Sequence, residues 1–467
     1  MSSYVPATLA HAPEGRFTQL VQAAKQRRLV LYLGAGISMS PPSCGPTGPA
    51  VANVLRPLVA RMIEARDEDL DGLSLEELAQ KVADRASERL AELRERAAVA
   101  FDFRGIAPNF GHEAAALLLR EGLVQLISVN WDCGIERAGA RAGVAIQGVA
   151  DLAESIQLSH VLPLYKVHGC ATRPWTLAIT QDDVDQPQTW AVGRTQGALA
   201  DGVVVFVGLG TVGVYVSEPF AELVTAWTPQ AASVTIVDPK LSPAWGEALG
   251  EEKAQAAHLA RSADAFLDEL LRAVVRDALD GVELVARDLA QHDTWATTMV
   301  EGLDAMRTGL DATAADGTLR WWRDGVVETQ AGTPFITELA GQKSLMTVAQ
   351  LAGLDGGAIE VAGVRGRQTV ATAQRYFEIV CRPRDHVSHV QIVARDRVET
   401  RRAEGIYTAD KPVTVVVADA LGEFPSDVAP VDIAGGDEDS ADILAGVEAS
   451  VIRFVAAEDG VGGRLAA

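Results

Sequence analysis

Short apolar runs punctuate the first 275 positions of the chain. Leu29–Leu33, Val124–Val129, Leu162–Val167, Val203–Val207 and Val234–Val237 are apolar at nearly every position rather than at alternate ones. That pattern predicts strands covered on both faces. Between them lie longer stretches with helical spacing, such as Leu75–Ala100 and His112–Glu121. Alternation of the two predicts an α/β fold built on a doubly wound parallel, Rossmann-like sheet. Each strand-like run ends in residues suited to a turn or a ligand: Gly34-Ala35-Gly36, Asn130, His168-Gly169, Gly208 and Asp238. In such sheets ligands bind beyond the carboxyl ends of the strands. Leu73–Arg96 reads as one amphipathic packing helix, and Ala254–Val275 as the helix that closes this domain.

The texture changes further on. Leu284–Thr313 continues with helical spacing, weakened by Gly302 and Gly309. After Gly317 the chain becomes rich in Val, Thr and Ile, at Thr369–Cys381, Val387–Val398 and Val413–Asp419. The expected organisation is a nucleotide-binding domain over 1–275, a helical connector over 276–314, and a β-rich, C-terminal α+β domain over 315–467 that regulates or binds a partner. Residues 422–467 hold ten acidic and two basic side chains and read as a solvated surface. Trp321-Trp322 reads as core or a recognition surface. Arg395, Arg397, Arg401 and Arg402 read as a solvated face or an anion site.

Charge and cysteine content narrow the functions. The chain of 467 residues carries a net charge of −22. That disfavours direct contact with nucleic acid or anionic lipid, both of which need clustered Lys and Arg. The four cysteines, Cys44, Cys133, Cys170 and Cys381, contain no CxxC pair. A disulfide scaffold and a sequence-local zinc ribbon are therefore not expected, and no metal ligand is assigned. Val203–Val216 is too short to span a bilayer and is interrupted by Gly208, Gly210 and Gly213. Met1–Leu20 has no signal-peptide pattern. A soluble cytoplasmic protein is the expectation.

Each candidate motif has two readings by itself. Gly34-Ala35-Gly36 can be a tight turn or a loop letting a pyrophosphate approach the backbone, with no Walker lysine following. Asn130 can be a turn former, Asp132 a cap for a helix near Gly134, and His168 a hydrogen-bonded structural residue. Taken together and in order, GAGIS (34–38), NWD (130–132), KVHG (166–169) and GLGT (208–211), with PNFGH (108–112) ahead of them, resemble the sirtuin (silent information regulator type) family. ADAFLDEL (263–270) is similar to the helix that closes such domains. The resemblance covers about residues 15–275.

That resemblance implies NAD as the substrate, cleaved between nicotinamide and ribose through an oxocarbenium-like state. It implies catalytic roles for Asn130, on ribose hydroxyls and water, for His168 as base, and for Asp132 in orienting the loop or polarising the nicotinamide side. Gly34, Ala35, Gly36, Gly208 and Gly210 would cradle the pyrophosphate. Ser38 and Thr211 would supply hydroxyls to phosphate, and Asp238 would accept hydrogen bonds from the adenosine ribose. The paired cysteines of the deacylating members are missing, Trp131 is bulky, and the loop Cys44–Gly48 lacks the family's Asp-Phe-Arg signature. These departures resemble the zinc-free, sirtuin-like domains of bacterial antiphage defence effectors. They imply an NAD glycohydrolase active in abortive infection and working as a homo-oligomer or with a companion defence protein. They also imply a trigger, either a nucleotide signal or a phage component. Deacylation, ADP-ribosyl transfer and non-catalytic sensing of NAD or ADP-ribose are the competing readings.

Overall fold

The computed structural model describes residues 14–156, 161–210, 234–290, 295–308, 310, 315–319, 349, 360–362, 369–371, 376–381, 396–408, 410–418, 429–432 and 449–455. The chain divides into two compact units, 1–271 and 272–467.

The first unit holds seven strands: β1 (Leu29–Leu33), β2 (Val124–Ser128), β3 (Ile146–Val149), β4 (Leu162–Lys166), β5 (Val203–Val207), β6 (Val234–Val237) and β7 (His258–Leu259). Their order is β3-β4-β2-β1-β5-β6-β7, and every pairing is parallel. The doubly wound sheet expected from the apolar runs is therefore present. All five residues of β1 are buried, so both faces of the central strand are covered. One face carries Val30, Tyr32, Ile127, Val204, Phe206 and Ile236 in a single core cluster with Trp245. The chain fills one side of β1 with β2, β4 and β3, then crosses to build β5, β6 and β7 on the other. The direction of winding thus reverses between β1 and β5, the place beyond whose carboxyl ends ligands bind in such sheets.

Helices α1 (Glu14–Lys25), α2 (Gly48–Met62), α3 (Leu75–Arg85), α4 (Leu90–Ala100), α5 (Phe110–Arg120), α6 (Gly134–Arg141), α7 (Leu152–Ile156), α8 (Gln181–Asp185) and α9 (Thr189–Asp201) connect the strands up to β5. The single helix expected over 73–96 is two. Ser74 and Glu77 form a capping box at the start of α3, with Ser74 N–H donating to Glu77 Oε2 at 2.8 Å and Glu77 N–H donating to Ser74 Oγ at 3.2 Å. At Ala86 the backbone leaves the helical region (φ −150, ψ 52). The break lets Leu75, Leu78, Ala79 and Val82 of α3 and Leu93, Ala97 and Ala98 of α4 reach one cluster with α2. The helix expected over 254–275 is also interrupted. Helices α10 (Pro243–Leu249) and α11 (Glu251–Ala257) precede β7, and α12 runs from Ala263 to Ala290. β7 pairs with β6 through Ile236 and Val237, which tertiary pairing alone selects.

In the second unit α13 spans Trp295–Thr308, and six strands follow: β8 (Glu360–Ala362), β9 (Thr369–Ala371), β10 (Tyr376–Cys381), β11 (Val413–Ala418), β12 (Ala429–Asp432) and β13 (Ala449–Val455). They form a mixed sheet in the order β12-β13-β11-β10-β9-β8. Two strands thus lie in the acidic stretch 422–467, where a solvated surface was expected. Residues 396–403 are helical, although 387–398 had the texture of a strand. Arg401 is buried, and its Nε lies 3.7 Å from the buried carboxylate of Glu378, which also accepts from Tyr407 Oη at 2.6 Å. Arg397 lies 3.6 Å from the same carboxylate. These two arginines serve an internal ion pair, not a solvated face. Arg395 and Trp321-Trp322 lie outside the described residues. Among the described residues no helix is long and apolar enough to cross a membrane.

Candidate functional site

Register brings the candidate residues to one level. Leu33 pairs with Ser128 and with Val207, Ser128 pairs with Lys166, and Val207 pairs with Val237. Gly34, Asn130, His168, Gly208 and Asp238 each stand one or two positions beyond that row. Five separate segments of sequence therefore deliver their turn residues to the same edge of the sheet.

The two glycine loops meet at the crevice between β1 and β5. Gly34 N–H donates to Val207 O, and Gly36 N–H to Gly208 O, both at 2.9 Å. A Cβ on Gly34 would sit 2.4 Å from Gly208 O, and one on Gly36 would sit 2.6 Å from Gly208 Cα. Gly208 itself has φ +63. These glycines are demanded first by contact between the two loops. Ala35 starts a single 3-10 turn over Ala35–Ser38, and Ala35 and Gly210 are exposed at the rim. Thr211 lies outside the described residues.

Asn130 is half-buried. Its N–H donates to Ser128 Oγ at 3.0 Å, and its side-chain Nδ2 donates to Gly34 O at 3.0 Å. The amide thus ties the β2 loop to the β1 glycine loop. Trp131 packs edge-on to Phe103, with ring centroids 5.9 Å apart, and joins the helical cluster of α2, α3 and α4. Its bulk anchors the loop from the helical side.

Asp132 is buried and turned inward. Its Oδ1 accepts from Gly134 N–H at 2.9 Å, as a cap for α6, and its Oδ2 accepts from Ser38 Oγ at 2.9 Å. Ser38 Oγ is also 3.1 Å from His112 Nε2. His112 occupies the third position of a capping box: Asn109 N–H donates to His112 Nδ1 at 3.2 Å, and His112 N–H donates to Asn109 Oδ1 at 3.1 Å. Because Nδ1 accepts, the ring proton is assigned to Nε2, so donation runs from His112 through Ser38 to Asp132. Burial pushes His112 below its ordinary value, against the pull of Asp132. The Ser38 hydroxyl is thereby engaged within the protein. His112 was not a candidate from the chemistry of the sequence; its spacing from Asn109, that of a capping box, was the available signal.

His168 follows β4 in a tight turn. Gly169 N–H donates to Lys166 O at 3.0 Å, Gly169 has φ +86, and a Cβ there would meet Thr176 O at 2.3 Å. His168 is half-buried, and desolvation lowers its pKa to about 4, with Asp183 acting the other way. It is neutral at physiological pH. Asp238 is half-buried beyond β6, where its N–H donates to Leu259 O at 3.3 Å and its carbonyl lies 2.8 Å from His258 Nε2.

Beneath these loops is a cluster that no linear motif announces. Lys166 is fully buried, with its Nζ 3.0 Å from Glu136 Oε1, bonded to the Asp132 carbonyl, and 3.6 Å from Cys170 Sγ. Burial alone would lower Lys166, but Glu136 and the two thiols reverse this and hold it above its ordinary value. The ligand atoms of Cys133, Glu136 and Cys170 lie within 4.8 Å of one another. The hydrogen bond from Cys133, helped by Lys166 and opposed by burial, lowers Cys170 to about 5, and the same contact raises Cys133. The cysteines look scattered in sequence, yet two of them adjoin here. Lys166 already supplies the cation for this group.

No protein-family model and no curated protein matches the chain. Among solved structures, a point mutant of a Sir2 homologue in complex with ADP-ribose is similar to it, at 18% identity and a TM-score of 0.36, over 58% of this chain and 98% of that one.

Proposed function

We propose that the chain is an NAD glycohydrolase, converting NAD and water to nicotinamide, ADP-ribose and a proton. The observation that carries this reading is the single register row from which Gly34, Asn130, His168, Gly208 and Asp238 emerge around the reversal of winding. An ordered set of motifs resembling a known NAD-cleaving family becomes one crevice rather than five unrelated turns. In it, the exposed rim at Ala35 and Gly210 offers backbone to a pyrophosphate. Asp238 stands where an acidic residue can bind ribose hydroxyls. Asn130, fixed by Gly34 O, presents the rest of its amide to the nicotinamide ribose or to water. His168, neutral at pH 7, takes the proton of the attacking water or of a ribose hydroxyl. Ser38 and Asp132 act from behind, by holding the Asn130 loop in place.

In a bacterial cell the same chemistry would deplete NAD during phage infection. The activity would be released by a nucleotide signal or phage component, in the cytoplasm, through self-assembly or a companion defence protein. Incubating the purified chain with NAD, alone and with candidate activators, and separating the products tests the reading. Nicotinamide and ADP-ribose in equal amounts are expected. NAD bound without any nicotinamide release under every condition overturns it in favour of a sensor, and a mass shift on a protein acceptor would overturn it in favour of a transferase.

A further inference from the structure

At the other ends of the strands the first unit carries a second concave surface. A groove of about 330 Å³ lies where the starts of β1 and β2 and the face of β4 meet α9. Its described lining includes Arg27, Arg28 and Arg194 and no acidic residue, in a chain whose net charge is −22. Tyr165 forms an aromatic wall, with the Arg194 guanidinium 4.2 Å from its ring centroid.

Two local departures keep this groove open and cationic. Helix α1 ends in a Schellman turn: Arg28 N–H donates to Ala23 O and Arg27 N–H to Ala24 O, both at 2.8 Å. Arg27 holds the left-handed position of that turn, with φ 58. Glycine is the usual occupant, because a Cβ is disfavoured there. An arginine is placed at this position despite its conformational cost. In α9, Gly193 and Gly197 stand one turn apart and both line the groove. A Cβ on either would meet nothing within 4 Å. Packing therefore does not require glycine, and helix propensity opposes it. Breaks with local preference that gather at one surface mark functional sites.

We infer that this groove binds a small molecule bearing a di- or polyphosphate, of about nucleotide size. Guanidinium groups match phosphate oxygens in paired hydrogen bonds. The volume lies at the lower end of small-molecule sites. A groove of this size takes a short polyanion rather than a duplex or a bilayer surface. The site opens at the amino ends of β1 and β2 and runs along the sheet face to Ile127 and Tyr165, includes none of the candidate residues at the carboxyl ends, and does not depend on the hydrolase reading.

The test is calorimetric titration of the full chain with inorganic pyrophosphate and with ADP. Arg27→Gly, Arg194→Ala and Gly197→Leu are each expected to weaken binding at least tenfold, and Arg66→Ala, an exposed arginine outside both sites, to leave it unchanged. Arg27→Gly removes the guanidinium and suits the left-handed turn, so its thermal midpoint is expected to hold or rise; weaker binding there is then not unfolding. The inference is overturned if the wild-type chain binds neither probe, or if the groove variants bind both as tightly as wild type. Tighter binding of duplex DNA or anionic vesicles than of pyrophosphate at equal ionic strength would also overturn it.

Discussion

His112 opens α5 and His168 follows β4, and burial lowers the pKa of both rings. Their surroundings are otherwise opposite. His112 is fully buried, with one ring nitrogen taken by Asn109 and the other facing Ser38, which in turn binds Asp132. His168 is half-buried, level with Asn130 at the edge of the sheet. A lowered pKa is common to the fastening histidine and to the one proposed as the base. Geometry separates them: the first ring sits in a closed set of hydrogen bonds, and the second belongs to a half-buried residue in the loop after β4, with its Nε2 turned inward.

The largest effect should come from the charge beneath both corners. Lys166→Met would leave the half-buried Glu136 without its cation and strip a donor from the Asp132 carbonyl. It should cost about 3–5 kcal/mol in denaturant unfolding. Adding Glu136→Leu should recover most of that loss; a double variant as unstable as the single one would show that the ion pair is not the cause.

Next, His168→Ala should lower nicotinamide release by at least about 100-fold while the circular dichroism spectrum is retained. Unchanged turnover would remove His168 from the chemistry. Its pKa of about 4 lies below the ordinary 6.5, so between these values the unfolded chain holds the extra proton. Stability from the neutral ring is therefore fully present above about 6.5 and is lost as the pH falls towards 4. The acid limb of kcat/KM should fall near 4, and a limb near 6.5 would mean that the ring is solvated during turnover.

Gly134→Ala should act on the His112 corner alone. Its new Cβ would lie 2.5 Å from His112 Nε2, at a cost of about 1–3 kcal/mol. His112→Ala in the same chain should relieve that clash, which a double-mutant cycle would register as coupling. Smallest of the four, Ser74→Ala removes the exposed α3 cap and should cost about 1 kcal/mol, read from the thermal midpoint.

The strands β1, β5 and β6 were legible because strands buried on both faces are apolar nearly throughout, and β2 and β4 because apolar residues dominate them despite Gln125 and Lys166, a signal that needs no partner to be seen. β3 and β7 were not: Ile146–Val149 contains a Gln and a Gly, and His258–Leu259 is a strand only because β6 lies beside it. The break at Ala86 was hidden because α3 and α4 share one amphipathic texture, and only their common cluster with α2 requires the chain to bend. In the site, residues at strand ends were legible from their types. The link from His112 to Ser38 and the union of Cys133 and Glu136 with Lys166 and Cys170 were not, since these partners are remote in sequence.

The sequence by itself determined an alternation of strand and helix, the turn residues at each strand end, and their order along the chain, all properties of local pattern. Only the tertiary structure decided that β1 and β5 flank the reversal of winding, that one register row brings five loops level, and that Ser38 and Asp132 face inward. Those outcomes depend on which strands pair and in what register, and pairing is settled by burial of surfaces far apart along the chain. The same holds at the groove, where Arg27 and Arg28 from the turn after α1 and Arg194 from α9 come together only because β1 and β5 pair.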